Sequence, residues 1–207
     1  DIVRLWAASS DYHADVRCSD AIFRQLSETY RKIRNTARIL LANLGDFNPD
    51  TDAVPAERLH EIDKWILSRL NDLIRVCRAG YDGYEFHTVT HAVSNFCTNE
   101  LSKLYVDITK DRLYTEGKTS EGKERRSAQT AIHTILSGLT RLIAPILAFT
   151  AEEIWKNMPH RAGEKTESVF LNPMPEADGA YACPELTAHW DRLFALRDGV
   201  MKALELA

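Results

Sequence analysis

Apolar side chains recur at helical spacing along most of this chain, and this periodicity constrains the fold more than any other feature. Between Tyr30 and Leu44 an apolar residue returns every three or four positions. A helix turns by about 100° per residue, so this spacing places them all on one face. The members of the stripe are Tyr30, Ile33, Ala37, Leu40, Leu41 and Leu44. A helix of this kind needs partners to cover its apolar face.

Four further segments show the same pattern. A second helix is predicted to open at Pro55, and a third to run from about Glu85 to Tyr114. A fourth begins near Arg125 and must kink or end at Pro145, because proline cannot donate the intrahelical hydrogen bond. A last amphipathic helix starts near Pro184. The predicted fold class is therefore mainly α, an antiparallel bundle of four to five long helices behind a small N-terminal element.

Composition suggests how the chain divides. Ser19 and Asp20 offer an N-cap to the first long helix, and the polar, glycine-containing stretch 115–124 is predicted to be a mobile loop. Val169–Leu171 is a candidate short strand within a longer loop. The predicted parts are the N-terminal element at 1–20, the helical bundle at 21–158, the loop segment at 159–183 and the C-terminal helix at 184–207.

Bulk properties narrow the classes of function. The net charge of −4 argues against a nonspecific nucleic-acid coat, so any nucleic acid would have to bind a local basic patch. The four cysteines show no CxxC pair, which favours reduced thiols and a cytoplasmic location. No apolar run is long enough for a membrane span, and no signal-peptide pattern is present. The chain lacks an initiating methionine, and we expect it to be a fragment of a longer protein.

The first long helix carries a second stripe beside its apolar face. Arg31, Arg34, Asn35 and Arg38 fall together on this stripe. Grouped arginines on a rigid helix suggest a platform for an anionic partner, with RNA as the leading candidate. Two alternatives remain open, a plain solvated face and a helical protein-interaction module that pairs with an acidic partner.

Catalytic and metal-binding motifs are missing from the sequence. It contains no GxSxG motif, glycine-rich phosphate loop or HExxH motif. His87 and His91 are spaced i, i+4, but no third metal ligand is close in sequence. We therefore predict no catalytic residue and no metal site in this chain.

A second group of basic residues lies near the end of the third helix. Lys103 and Lys110 are two turns apart on one side, and Arg112 follows. Asp107 and Asp111 are close enough for intrahelical ion pairs, so a structural role is about as well supported as a binding role.

Five segments together resemble the class I aminoacyl-tRNA synthetases for isoleucine, valine and leucine, and the bacterial isoleucine enzymes in particular. They span nearly the whole chain: IVRLWAASSDY at 2–12, YRKIRNTAR at 30–38, DKWILSRL at 63–70, YVDITKDRLY at 105–114 and APILAFTAEEIW at 144–155. The resemblance implies an anticodon-binding helical bundle, with residues 1–20 as the remnant of a stem-contact element. The HIGH and KMSKS motifs of the family are absent from this sequence.

The resemblance also implies a function. The parent enzyme would be a ligase of translation that joins isoleucine to tRNA(Ile) using ATP with magnesium, and it would carry zinc in its C-terminal tail. The fragment itself would be non-catalytic and hold no cofactor. Its expected partners are the anticodon stem-loop of tRNA(Ile) and the remaining domains of the parent synthetase, with no membrane partner and a monomeric state. The corresponding domain of a valine or leucine enzyme is the closest alternative.

The family places its RNA contacts on the first helix and near the end of the third. Carried onto this sequence, that implicates Arg31, Arg34, Asn35, Arg38, Lys110 and Arg112. The arginines can bind phosphates bidentately or stack on unpaired bases. Asn35 is the best candidate for contact with a base edge, because its amide offers both a donor and an acceptor.

Overall fold

Eight α-helices run through the residues that the computed structural model describes, 1–115 and 123–205. They are α1 (Ile2–Ser9), α2 (Asp20–Ala42), α3 (Glu61–Asp82), α4 (Phe86–Asn95), α5 (Val106–Thr115), α6 (Lys123–Ile143), α7 (Ala148–Asn157) and α8 (Pro184–Glu205). The prediction of a mainly α helical bundle is confirmed. The predicted loop at 115–124 falls largely on residues 116–122, which lie outside the described residues.

The local signals in the sequence set several helix boundaries. Ser19 is the N-cap of α2, and its Oγ accepts a hydrogen bond from the backbone N–H of Ile22 at 3.3 Å. The fourth predicted helix ends at Ile143, just before Pro145, and the chain resumes as α7 after a turn. The third predicted helix is one continuous helical run, but its middle, Phe96–Tyr105, is a π-helical stretch between α4 and α5.

The candidate strand at Val169–Leu171 is wrong, because these residues form a 3₁₀ turn. The hydroxyl of Ser168 accepts a hydrogen bond from the Phe170 N–H at 3.2 Å, and Asn172 N–H closes the turn on the Val169 carbonyl at 3.1 Å. These local bonds use the backbone groups that a strand would offer to a neighbour. The β-branched and aromatic residues suggested a strand, but the flanking polar side chains decided the outcome.

Helix α3 lies at the centre of the packing and contacts α4, α6 and α8. Its crossing with α4 is close at Gly80, where an added Cβ would lie 2.8 Å from a methyl carbon of Val89. A side chain larger than hydrogen would force these helices apart. The largest fully buried side chains of the shared core are Trp65, Trp155, Tyr105 and Phe96. None of the described helices combines the length and apolar character that a membrane span requires.

The N-terminal element is a helix that packs into the same core. Leu5 is buried, and α1 contacts both α2 and α4. The Arg4 guanidinium donates to the carbonyls of Pro145 at 2.6 Å and Ile146 at 2.9 Å, in the turn before α7. The carboxylate of Asp1 accepts from the N–H of Thr150 at 2.8 Å and thus caps α7. The predicted domain boundary at residue 20 stays a prediction.

A buried carboxylate joins three parts of the bundle. Asp63 of α3 is fully buried and accepts hydrogen bonds from the Tyr105 hydroxyl at 2.7 Å and the Ser127 hydroxyl at 2.6 Å. The Arg112 guanidinium donates to both carboxylate oxygens, at 2.9 and 3.0 Å. Burial, and then the neighbouring carboxylate, raise the pKa of Tyr105 well above its usual value, so its hydroxyl remains a donor. We call Asp63, Tyr105, Arg112 and Ser127 the Asp63 cluster.

Removal of one partner from the Asp63 cluster is expected to be costly. In the Arg112→Ala variant a buried carboxylate loses its counter-ion, which typically lowers the free energy of unfolding by about 3–5 kcal/mol. Lys110 lies two residues away and forms an exposed ion pair with Asp107, so Lys110→Ala serves as the matched control. Urea denaturation followed by circular dichroism measures both. Equal midpoints for the two variants would show that the cluster does not stabilise the bundle.

The buried His133 predicts a pH dependence of stability. Its side chain is 1% exposed, its Nε2 lies 2.9 Å from the Pro159 carbonyl, and burial lowers its pKa from the ordinary value of 6.5. The unfolded chain therefore binds a proton more readily than the folded chain, and stability falls as the pH drops below about 6.5.

We expect His133 to add at most about 1.4 kcal/mol per pH unit to the fall in the free energy of unfolding, which is the limit for one proton. His133→Gln keeps a donor for the Pro159 carbonyl but does not titrate near neutral pH. Urea unfolding at several values between pH 7 and 5 should give a shallower decline for this variant. A decline that matches the wild type would remove His133 as its cause.

Candidate nucleic-acid interface

Helix α2 shows two distinct faces in the structure. Its inner face is buried at Ile33, Ala37 and Leu40, which pack into the core. On the exposed side the four predicted residues line up along the helix. We call this set the arginine ridge: Arg31, Arg34, Asn35 and Arg38. The amphipathic pattern thus fixes which side of the helix faces outward.

The contacts of the arginine ridge within the protein are few and weak. Arg31 pairs with Glu28 at 3.0 Å on the same helix, and Arg34 approaches Glu153 of α7 at 3.9 Å. All these side chains are well exposed, and such pairs contribute only about 0–1 kcal/mol. Within the described part of the chain, Arg38 makes no ion pair and Asn35 no side-chain hydrogen bond. The ridge can therefore exchange its contacts for an external anion at little cost.

A groove of about 320 Å³ lies between α2 and α7 beside the arginine ridge. Its α2 wall is formed by Arg34, Arg38 and Leu41, and its α7 wall by Thr150, Glu153, Ile154 and Asn157. The hydroxyls of Tyr30 and Thr150 lie 3.0 Å apart and join the two helices at one end. We call this feature the α2–α7 groove. Its volume is at the lower end of the range for small-molecule sites.

The two predicted residues of the third helix lie in very different surroundings. Lys110 is exposed and pairs with Asp107 at 2.9 Å, and this partner raises its pKa. Arg112 is bound to Asp63 and only 15% of its side chain is exposed. Its guanidinium donates hydrogen bonds to the buried Asp63 carboxylate, which favours a structural role over the predicted RNA contact. The RNA contacts of Lys110 and Arg112 both stay predictions, and the exposed Lys110 is the better placed of the two.

The sequence analysis missed the α7 wall of the groove. Thr150, Glu153 and Asn157 share one face of α7 at helical spacing, so a polar stripe was present as a signal. Which helix this stripe would meet could not be read from the sequence, because α2 and α7 are more than 100 residues apart in the chain. Their contact is a product of the tertiary packing.

The histidine and cysteine side chains of the described residues form no metal site. Within residues 1–115 and 123–205, no three His, Cys, Asp or Glu side chains come together to hold a metal ion. The Nδ1 atom of His87 lies 3.4 Å from the Glu85 carboxylate. All four cysteines are free, and burial raises the pKa of Cys77 and Cys97 to about 12. These two thiols are therefore neutral packing groups rather than nucleophiles.

Residues 63–206 match the family model described as the anticodon-binding domain of tRNA ligase. The chain belongs to this anticodon-binding domain family. The match begins at Asp63 in α3, so it does not include the arginine ridge on α2.

Individual relatives of the anticodon-binding domain cover α2 as well. The chain is 50% identical over all 207 residues to the isoleucine–tRNA ligase of Caldanaerobacter subterraneus. It is 49% identical over the same length to the isoleucine–tRNA ligases of Listeria monocytogenes and Symbiobacterium thermophilum. In each case the aligned region is 22% of the relative, so the chain spans about a fifth of the length of these proteins.

Proposed function

We propose that this domain binds the anticodon stem-loop of tRNA(Ile) through the arginine ridge, as part of an isoleucine–tRNA ligase. The observation that carries the proposal is the ridge itself, three arginines and an asparagine exposed along one rigid helix of an anticodon-binding domain. The chemistry of the ligase reaction takes place elsewhere in the parent enzyme. The domain holds and orients the RNA.

The chemistry of the ridge suits a structured RNA loop. Guanidinium groups bind phosphates bidentately and stack on unpaired bases. An anticodon loop presents both phosphates and unpaired bases. Asn35 lies among Arg31, Arg34 and Arg38, and its amide can donate to and accept from a base edge. Because the whole chain has a net charge of −4, attraction for RNA depends on local basic patches such as the ridge and should be sensitive to salt.

The assignment to the isoleucine enzyme rests on the relatives. Those named above are isoleucine–tRNA ligases at 49–50% identity, which favours this specificity over the valine and leucine enzymes. The family match in turn disfavours a protein-interaction module. ATP, magnesium and zinc are assigned to parts of the parent outside this chain, which contributes no catalytic residue. We propose that the parent is a cytoplasmic component of translation and that this domain is monomeric.

Replacement of ridge residues should weaken RNA binding without unfolding the domain. Arg34→Ala is expected to weaken binding of the tRNA(Ile) anticodon stem-loop about tenfold, or about 1.4 kcal/mol. It should also reduce the slope of log Kd against log salt by about 1, because one cation no longer displaces a counter-ion. Fluorescence anisotropy at several salt concentrations measures both quantities.

Asn35→Ala should behave differently. The uncharged amide contributes nothing to counter-ion release, so this variant should weaken binding while leaving the salt slope unchanged. Arg75→Ala is the control for both variants, because Arg75 is also an exposed arginine and pairs with Asp72 on α3. If Arg75→Ala weakened binding of the stem-loop as much as Arg34→Ala did, binding would be a general charge effect and the ridge would have no special role.

A further inference from the structure

The geometry points to the α2–α7 groove as a subsite for a single unpaired nucleobase, with the Glu153 carboxylate reading its Watson–Crick edge and the Phe149 ring stacking on its face. This inference rests on the proposed function and adds to it a specific site and a preference among bases.

The two walls of the groove offer what a nucleotide needs. Arg34 and Arg38 stand on the α2 wall, where they can reach the phosphates on either side of an inserted base. Leu41 on the α2 wall and the largely buried Ile154 on the α7 wall add apolar surface. Glu153 is the acceptor on the opposite side. The groove therefore combines positive charge, apolar contact and a polar edge in one space.

Glu153 is the most unusual member of the groove. Its carboxylate is 64% exposed and lies 3.9 Å from Arg34, too far for a good hydrogen bond and too exposed to stabilise the fold much. A carboxylate opposite the arginines also repels phosphate, so contacts with the RNA backbone alone do not account for Glu153. It can, however, accept hydrogen bonds from base amino groups, as acidic side chains do with the cytosine amino group.

Asn157 adds a second acceptor to the same wall. Its Nδ2 donates to the Glu153 backbone carbonyl at 2.8 Å, which fixes the amide in place. Its Oδ1 has no partner among the described residues and can accept from a ligand. Two acceptors on one wall favour a base that presents donors there.

Phe149 supplies an exposed aromatic ring on α7 and directly precedes Thr150, which lines the groove. Its side chain is 76% exposed although it belongs to the first turn of α7, whose N-terminus Asp1 caps. It lies four residues before Glu153 and so on the same side of the helix. Exposed aromatic rings beside basic grooves are the arrangement that single-stranded nucleic-acid proteins use for stacking.

These contacts predict a preference among bases. Adenine, cytosine and guanine each carry an exocyclic amino group on the edge that would face Glu153, whereas uracil presents two carbonyl oxygens around one N–H. Carbonyl oxygens are repelled by a carboxylate. The subsite should therefore favour an amino-bearing base over uracil at one position of the loop.

The test uses a set of anticodon stem-loops that differ at one loop position at a time and carry A, C, G or U there. For the wild-type chain we expect one position at which an amino-bearing base binds about tenfold tighter than uracil. Glu153→Gln should reduce this ratio to within about twofold, because glutamine can donate to a uracil carbonyl. Loss of the negative charge also raises the affinity for every stem-loop by a similar factor. The ratio of affinities between bases is insensitive to that common change.

Phe149→Ala should weaken binding by a similar factor whichever base is present, since every base has a face on which to stack. The loss should disappear when the base at that position is removed to leave an abasic site. Glu176→Gln and Tyr114→Ala are the matched controls, an exposed carboxylate paired with Arg78 and an exposed ring at the end of α5.

The outcomes separate the two proposals. If Arg34→Ala weakens binding of the stem-loop but Glu153→Gln leaves the ratio of affinities between bases unchanged, the groove subsite is overturned and the ridge stands. If Arg34→Ala changes the affinity for neither the stem-loop nor its base variants, the proposed function fails and the subsite fails with it. A base ratio abolished by Glu153→Gln but not by Glu176→Gln supports both.

Discussion

The Asp63 cluster is the interaction on which the geometry of this bundle depends. One fully buried carboxylate accepts hydrogen bonds from Tyr105 in the π-helical stretch, Arg112 in α5 and Ser127 in α6. A second ionic contact, Arg125 with Asp46 at 2.6 Å, ties α6 to the loop after α2. Buried ion pairs add little net stability compared with apolar packing, but an arrangement of the helices that separates the partners leaves a buried charge uncompensated, at a high cost in free energy. They therefore fix how the helices are set against one another.

That fixed arrangement determines which surface faces outward. Because Ile33, Ala37 and Leu40 are held in the core, α2 has no freedom to rotate, and its arginine ridge must lie on the outside. The same packing brings α7 alongside α2 and creates the groove between them. If RNA binds as proposed, it is recognised by two helices whose rotation is set by a core that makes no contact with the RNA.

The sequence predicted the helices well, whereas the residues named for RNA contact stay predictions. Apolar periodicity located the long helices and Ser19 marked the start of α2, because both signals act over a few residues. The 3₁₀ turn at Val169–Leu171 escaped prediction because side-chain capping decided it. The π-helical stretch was not predicted either. The role of Arg112 depended on Asp63, which is 49 residues away in the chain. The α7 wall of the groove was hidden for the same reason.

Amide chemical-shift mapping of the 207-residue chain with the tRNA(Ile) anticodon stem-loop measures most directly where RNA binds. We expect shift changes concentrated on the arginine ridge and on the α7 residues that line the groove, with α8 and the exposed side of α3 unaffected. Stem-loops of other specificities should shift the arginines but perturb Asn35 less. A shift pattern centred elsewhere on the bundle, with α2 silent, would show that RNA does not bind at the arginine ridge.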